Sequence, residues 1–393
     1  MNIKALILFL GLALILGSCR SSASLFSMGK VQYSPNSKEV CELPIRIDRN
    51  LFFVDVEIEG ETYNFLFDSG APMVISQELA EKYQCKVLRT SNIRDSQNQV
   101  RKQDYVLLPD LQIGDRVFSG LAGLSSDLKA SAILNCLNLD GIIGANAMAM
   151  QYWDFSVADS IMRISKTKAH WPEGKKYVFH FAMKSTRTPL IKLKVNNTDV
   201  SGITFDTGSS GILSFNKKMS SSFKAEEAHF SAYGYLSGGL FGSALDTAHE
   251  FMMTFNFPDT NLRIPIEQEM NKKGKLLGMG FLRDYHVFFD YPQKEILLLP
   301  KSAGARRPSF PFAPIYEKEQ IIIGMVNTLM PDSLSHLQVG DTISAVNGRA
   351  LSNSPAVADY CSIIQDMRGS EVEITIKGKG IYTFRRKAIP RPD

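Results

Sequence analysis

Two short segments of this chain each place an acid at the end of a hydrophobic run: Phe65-Leu66-Phe67-Asp68-Ser69-Gly70-Ala71 and Ile203-Thr204-Phe205-Asp206-Thr207-Gly208-Ser209. One Asp-Ser/Thr-Gly triplet is common and by itself marks a turn, because Asp and Gly both favour turns. Two in the same local setting suggest a duplicated half-site. If the halves face each other, Asp68 and Asp206 come together, and two carboxyls that close hold one proton between them. The ionised member can then take a proton from water while the protonated member donates to a peptide carbonyl. That is hydrolysis by general acid–base catalysis, with no covalent intermediate, and the pair titrates as a unit.

The elements that must position these acids repeat with them. Leu51–Ile58 ends in period-two alternation, Gly60 marks a turn, and Tyr63 to Phe67 reads as a strand into Asp68. Met73-Val74-Ile75-Ser76 follows, then a short helix from Gln77 to Tyr83, a polar stretch from Ser91 to Gln103, and strands around residues 105–118. Asp140-Gly141-Ile142-Ile143-Gly144 leads to a short helix and a closing strand at Ile161 to Ser165. In the second half, Leu190 to Val195 alternates, Asn196-Asn197 turns, and Val200 to Phe205 leads into Asp206; Gly211-Ile212-Leu213-Ser214 matches Met73 to Ser76, and Leu276-Leu277-Gly278 matches Ile142-Ile143-Gly144. Gly144 follows Asp68 by 76 positions and Gly278 follows Asp206 by 72. The period is too long for a solenoid and suits a duplicated β-rich lobe.

The paired motifs, each followed by two apolar residues and a glycine, resemble the pepsin/retropepsin class of aspartic peptidases; the stretch from Leu277 to Asp290 is similar to the end of a pepsin-like second lobe. The resemblance covers roughly residues 43–300, and the short lobes are similar to retropepsin halves fused in one chain. It implies a mainly β, double-lobed acid-protease fold, with a first lobe over 41–168 and a second over 175–300. It implies Asp68 and Asp206 as catalytic acids, with no cofactor and no metal, and a peptide or protein substrate. Gly70 and Gly208 would let the acid loops approach closely. Ser69 and Thr207 would hydrogen-bond across the lobe interface. Ser209 would contact the outer oxygen of Asp206, where the first half has Ala71, so Asp206 is expected to carry more of the charge. Tyr233-Gly234-Tyr235 would belong to a substrate-covering flap. The first-lobe counterpart, Ser91 to Val100, has neither Tyr nor Gly, and Pro72 is a second departure from the family pattern.

A proline- and arginine-bearing stretch over 301–314 reads as a linker. Beyond it, over 315–388, Leu337-Gln338-Val339-Gly340-Asp341-Thr342-Ile343-Ser344-Ala345-Val346-Asn347-Gly348 is similar to a segment of PDZ-like domains. That resemblance implies a module that binds a peptide ligand at a sheet edge or serves as a docking element.

The remaining features bound the function. The chain of 393 residues carries 44 Lys plus Arg against 40 Asp plus Glu, with no basic stripe, which argues against a nucleic-acid partner. Its six histidines lie far apart, without metal-ligand spacing. The apolar run Ala5 to Leu16 is too short for a comfortable membrane span and fits a secretory signal. Its ending, Leu16-Gly17-Ser18-Cys19, resembles a bacterial lipobox, which implies a signal segment over 1–19, lipidation of Cys19, a tether over 20–40 and a lipid-anchored place in a bacterial cell envelope. Cys41, Cys85, Cys136 and Cys361 are spaced too irregularly to read as a framework; pairing and free thiols both remain open. The alternative to an endopeptidase is a lipoprotein that binds peptides or scaffolds partners without hydrolysing anything.

Overall fold

The computed structural model describes residues 25–168, 171–173, 176–216, 228–257, 261–270, 274–301, 309–329 and 336–386. Strand makes up 56% of it and helix 9%, so the chain is mainly β, as expected. The signal segment and Cys19 lie outside the described residues.

In the first lobe the strand Glu61–Asp68 turns Phe65 and Phe67 to one face and Leu66 and Asp68 to the other, because strand side chains alternate. Phe65 and Phe67 are fully buried, and Phe67 packs on Phe52 and Trp153 with ring centroids 4.7 and 5.3 Å apart. Gly141–Gly144 runs parallel beside this strand with Gly144 opposite Asp68, and Val74–Ser76 pairs antiparallel on its far side. The second lobe repeats the arrangement. Thr198–Asp206 pairs in parallel with Leu276–Gly278, placing Gly278 opposite Asp206, and Leu213–Asn216 lies antiparallel beyond.

Each lobe then continues into a long hairpin. In the first, Ala122–Ser126 lies parallel to Val74–Ser76 and is followed in the sheet by Val100–Leu107 and Val87–Arg94. In the second, Asn261–Glu269 lies parallel to Leu213–Asn216 and is followed by Gly242–Asn256 and Phe230–Gly239. The polar stretch Ser91 to Gln103 is therefore the far half of a hairpin, polar because it stands out from the lobe with much of both faces exposed.

The lobes are joined by one antiparallel sheet in the order Val40–Pro44, Ile161–Ser165, Tyr152–Ser156, Tyr285–Asp290, Glu295–Pro300, Tyr177–Met183. The lobe boundary falls between its two central strands. There Asp154, buried at 1% exposure, sits between His286 Nε2 at 2.6 Å and the Arg163 guanidinium at 3.1 Å. A buried carboxylate is tolerated only when its oxygens are met in this way.

The C-terminal module has its own core, which includes Phe310, Phe312, Ile321, Ile323, Tyr360 and Ile374. Phe310 and Phe312 thus bring the end of the stretch read as linker into the module. Asp341 accepts from the Gln338 amide at 2.8 Å and pairs with Lys379, shaping a turn. The module is joined to the lobes by a strand pairing, by a disulfide and by the Arg368–Asp48 ion pair at 2.8 Å. The strand Gln320–Asn327 adds to the edge of Phe230–Gly239, pairing Ala232 with Asn327 and Gly234 with Met325. A disulfide joins Cys136, on the first-lobe helix Ala132–Cys136, to Cys361, on the module helix Val357–Asp366. Cys41 and Cys85 are free thiols.

From Leu25 onward the stretch read as a tether is folded. Leu25 to Met28 makes a tight turn, closed by the Met28 amide on the Leu25 carbonyl at 3.1 Å, and Lys30–Tyr33 pairs with Arg116–Ser119. Among the described residues no helix is long and apolar enough to cross a membrane.

Candidate active site

The two acid loops meet at the lobe boundary and are tied by reciprocal hydrogen bonds. The Ser69 amide donates to Thr207 Oγ1 at 2.9 Å, and the Thr207 amide donates to Ser69 Oγ at 3.1 Å. Each hydroxyl then donates across the boundary to the carbonyl just before the opposite acid: Ser69 Oγ to Phe205 O at 2.6 Å, and Thr207 Oγ1 to Phe67 O at 2.9 Å. Ser69 and Thr207 are fully buried, so all these groups depend on each other for partners. Ser or Thr is required here because one hydroxyl must accept and donate at once.

This grip sets the acids side by side. Asp68 accepts from the Gly70 and Ala71 amides at 2.7 and 3.2 Å, and Asp206 accepts from the Gly208 amide at 3.0 Å. The two carboxyls face each other closely enough for each to raise the cost of ionising the other. Each also lies against the glycine of the opposite loop. A Cβ on Gly70 would fall 2.5 Å from Asp206 Cγ, and one on Gly208 would overlap the Asp68 carboxyl carbon. The glycines are thus needed for the approach of the other lobe's acid. Gly208→Ala is expected to prise the acid loops apart and to destabilise the fold by about 1–3 kcal/mol. Thermal melts of parent and variant check this, and an unchanged midpoint would contradict it.

Burial, then the neighbouring Asp206 charge, holds the Asp68 carboxyl well above the ordinary carboxylate range, against the pull of the Gly70 and Ala71 amides. The downstream glycines support the loops from below. Ala145 N donates to Ala71 O at 2.8 Å and Met279 N to Ser209 O at 2.7 Å, the same bond in each lobe. A Cβ on Gly144 would overlap the Pro72 backbone, and one on Gly278 would come within 2.6 Å of the Ser209 and Gly211 carbonyl oxygens. Buried Asn146 completes the first loop, accepting from Met73 N at 2.7 Å and donating to Ala122 O at 2.9 Å.

Several groups around the acids carry no sequence signal beyond their position. Lys184 is exposed as a residue, and its ammonium donates to Thr204 Oγ1 at 3.3 Å, two residues before Asp206 on the same strand face. Burial lowers the Lys184 pKa and the Asp206 charge opposes that. Thr188 Oγ1 donates to Gly70 O at 3.3 Å, and in the matching place of the first lobe Asn50 Nδ2 donates to Ser210 O at 3.4 Å. Tyr291 is buried beneath the site, its hydroxyl without a hydrogen-bond partner among the described residues; burial and, second, the Asp68 charge push its pKa far up.

The remaining expected residues fall differently. Ser209 Oγ lies 3.0 Å from where a Cβ on Gly278 would be, so it sits beside the downstream glycine of its own lobe. Tyr233, Gly234 and Tyr235 are in the second-lobe hairpin, but midway along it. Gly234, at φ 139°, lies against Gly324 of the C-terminal module, where a Cβ would overlap the carbonyl, so the missing side chain serves that junction. The hairpin tip is Gly239 to Gly242, and it meets the first-lobe hairpin. Phe241 N donates to Asp95 Oδ2 at 3.1 Å, and Arg101 donates to Phe241 O at 3.1 Å while stacking over its ring. Among the described residues no group of three His, Cys, Asp or Glu side chains could hold a metal ion.

Residues 54–147 match the family model described as aspartyl protease, which supports an aspartic protease-like domain in the first lobe. No curated protein matches the chain.

Proposed function

We propose that the chain is an aspartic endopeptidase in which Asp68 and Asp206 activate water between two fused lobes. The observation that carries this reading is the seating of each carboxyl against the glycine of the other acid's loop, which brings the two acids together at the lobe boundary. Asp206 holds the negative charge and Asp68 the proton, a division favoured by the raised pKa of Asp68 and by the Lys184 ammonium within electrostatic reach of Asp206. Asp206 takes a proton from water as its oxygen attacks the peptide carbonyl carbon, and Asp68 gives its proton to the carbonyl oxygen. The tetrahedral diol then collapses: the C–N bond breaks as the amine nitrogen takes the proton from Asp206 and a diol hydroxyl returns one to Asp68, and a carboxylic acid and an amine leave with the pair restored. Ser69 and Thr207 hold the geometry. The two hairpins, whose tips meet at Phe241, Asp95 and Arg101, cover an extended peptide.

In this reading Cys19 carries a lipid, the protein works in the bacterial cell envelope, and the C-terminal module is PDZ-like. Its Gln320–Asn327 strand is already paired to the second-lobe hairpin, which favours a docking role for that edge.

The experiment is cleavage of a mixed pool of unstructured polypeptides in ¹⁸O-water. One ¹⁸O atom enters each new carboxyl in a single turnover, without any trapped peptidyl-enzyme. The pH–rate profile is a bell. Its acid limb falls as the second carboxyl is protonated, and its alkaline limb falls as the shared proton is lost, displaced upward by the raised pKa of Asp68. No cleavage from acid to neutral pH, or a trapped acyl-enzyme, would sink the proposal.

A further inference from the structure

The sheet face that carries Asp68 also carries an apolar row one step further from the lobe boundary. Register links its members strand by strand: Tyr105 opposite Leu124, Leu124 opposite Val74, Val74 opposite Ile142, Ile142 opposite Leu66, and Leu66 opposite Phe53. Leu66 precedes Asp68 by two residues on the same strand, so the row begins beside the acid. Such a surface under two hairpins should be open to a ligand. Instead it is covered by the chain's own Leu25 and Phe26, which are 4% and 2% exposed. They share one apolar cluster with the row, with Leu88 and Ile93 of the first hairpin and with Leu240 from the tip of the second. Phe26 meets Tyr105 edge-on at 5.5 Å. Ser27 Oγ accepts from Arg187 of the second lobe at 3.0 Å, and Arg187 belongs to the turn whose Thr188 bonds Gly70. Gly29, at φ 108°, then bends the chain out to the strand Lys30–Tyr33.

We infer that this row is the first-lobe half of the peptide groove, a subsite for adjacent bulky apolar side chains, and that Leu25-Phe26-Ser27 fills it as an intramolecular competitor. The inference rests on the peptidase reading for its kinetic consequence, but not for the binding itself. A ligand must displace the segment, so its apparent affinity is reduced by the fraction of chains in which the groove is open. Removing two buried apolar side chains shifts that fraction strongly.

The test uses the full chain and its Leu25→Ala/Phe26→Ala variant. A fluorescent hexapeptide with the sequence of residues 23–28, Ala-Ser-Leu-Phe-Ser-Met, serves as the probe, read by anisotropy. The variant is expected to bind it about ten- to a hundredfold more tightly than the parent, and to cleave peptides with a KM lowered by a similar factor and kcat nearly unchanged. Arg187→Ala, which frees Ser27 without touching the row, is expected to give a smaller shift in the same direction; it keeps the test available if the double variant does not fold. Equal probe binding by parent and both variants, or no binding by any, overturns the inference. Tighter binding by the variants with no cleavage by any form upholds the subsite and rejects the peptidase reading instead.

Discussion

Asp68→Asn is expected to abolish peptide cleavage and at the same time to make the fold more stable at neutral pH. An amide in place of Asp68 cannot share the proton, so general acid–base catalysis fails and turnover falls by about 10²–10⁴-fold. The stability gain follows from linkage. Asp68 is held protonated by burial and by Asp206, so its folded pKa lies above its unfolded value of about 4. A group of this kind favours the folded state fully below the unfolded pKa, and that contribution is lost as pH rises through the folded pKa. From about pH 4 upward the parent therefore carries a penalty that grows until the folded pKa is passed, and Asn, which does not ionise, carries none. Melting midpoints of parent and variant should converge near pH 4 and separate as pH rises, the variant melting higher. Cleavage within tenfold of the parent would end the proposed mechanism. Lost cleavage with a lower neutral-pH midpoint would mean that Asp68 serves the fold rather than a strained proton-sharing pair.

Removing the Cys136–Cys361 bridge is expected to have the second-largest effect, on stability first and on the hairpins second. The bridge spans 225 residues of sequence, and closing so long a loop restricts the unfolded chain by about 3–5 kcal/mol. It also fixes the helix Ala132–Cys136 to the module whose strand Gln320–Asn327 pairs with the second-lobe hairpin. That hairpin reaches back to the same helix, with Gly238 beside Ile133. Cys136→Ser should therefore lower the melting midpoint and speed amide exchange at Ala232 to Gly234 and at Phe241, while the Ser69–Thr207 grip keeps its protection. An unchanged midpoint would show that strand pairing alone holds the module. Faster exchange confined to the module helix Val357–Asp366 would show that the hairpins do not depend on it.

The acids were legible because their requirements are local. An acid that must face another needs a glycine two residues on, where the opposite carboxyl presses, and a hydroxyl between them to bridge the lobes. Gly144 and Gly278 were legible for the same reason, each being where an acid loop crosses at contact distance. What could not be read was set by partners far along the chain. Tyr152–Ser156 is a central strand of the lobe-joining sheet because Tyr285–Asp290 lies beside it, and nothing within five residues announces that pairing. The hairpin around Asp95 to Gln99 looked like a polar stretch because it has no buried face along most of its length. Leu25 and Phe26 are an apolar pair next to a leader-like segment, and only the groove they fill gives them meaning.

The hydrogen bonds between Ser69 and Thr207 have one more consequence. Each half contributes an amide, a hydroxyl and a carbonyl that are buried only when the other half is present. Alone, a half would expose or orphan all of them, together with an open edge of the joining sheet. Two such halves on separate chains would assemble by mass action and come apart on dilution. Here both lie on one polypeptide, so their encounter is governed by a fixed effective concentration. The acid pair then persists however scarce the protein becomes, and the two halves are released from the sameness that a symmetric dimer imposes.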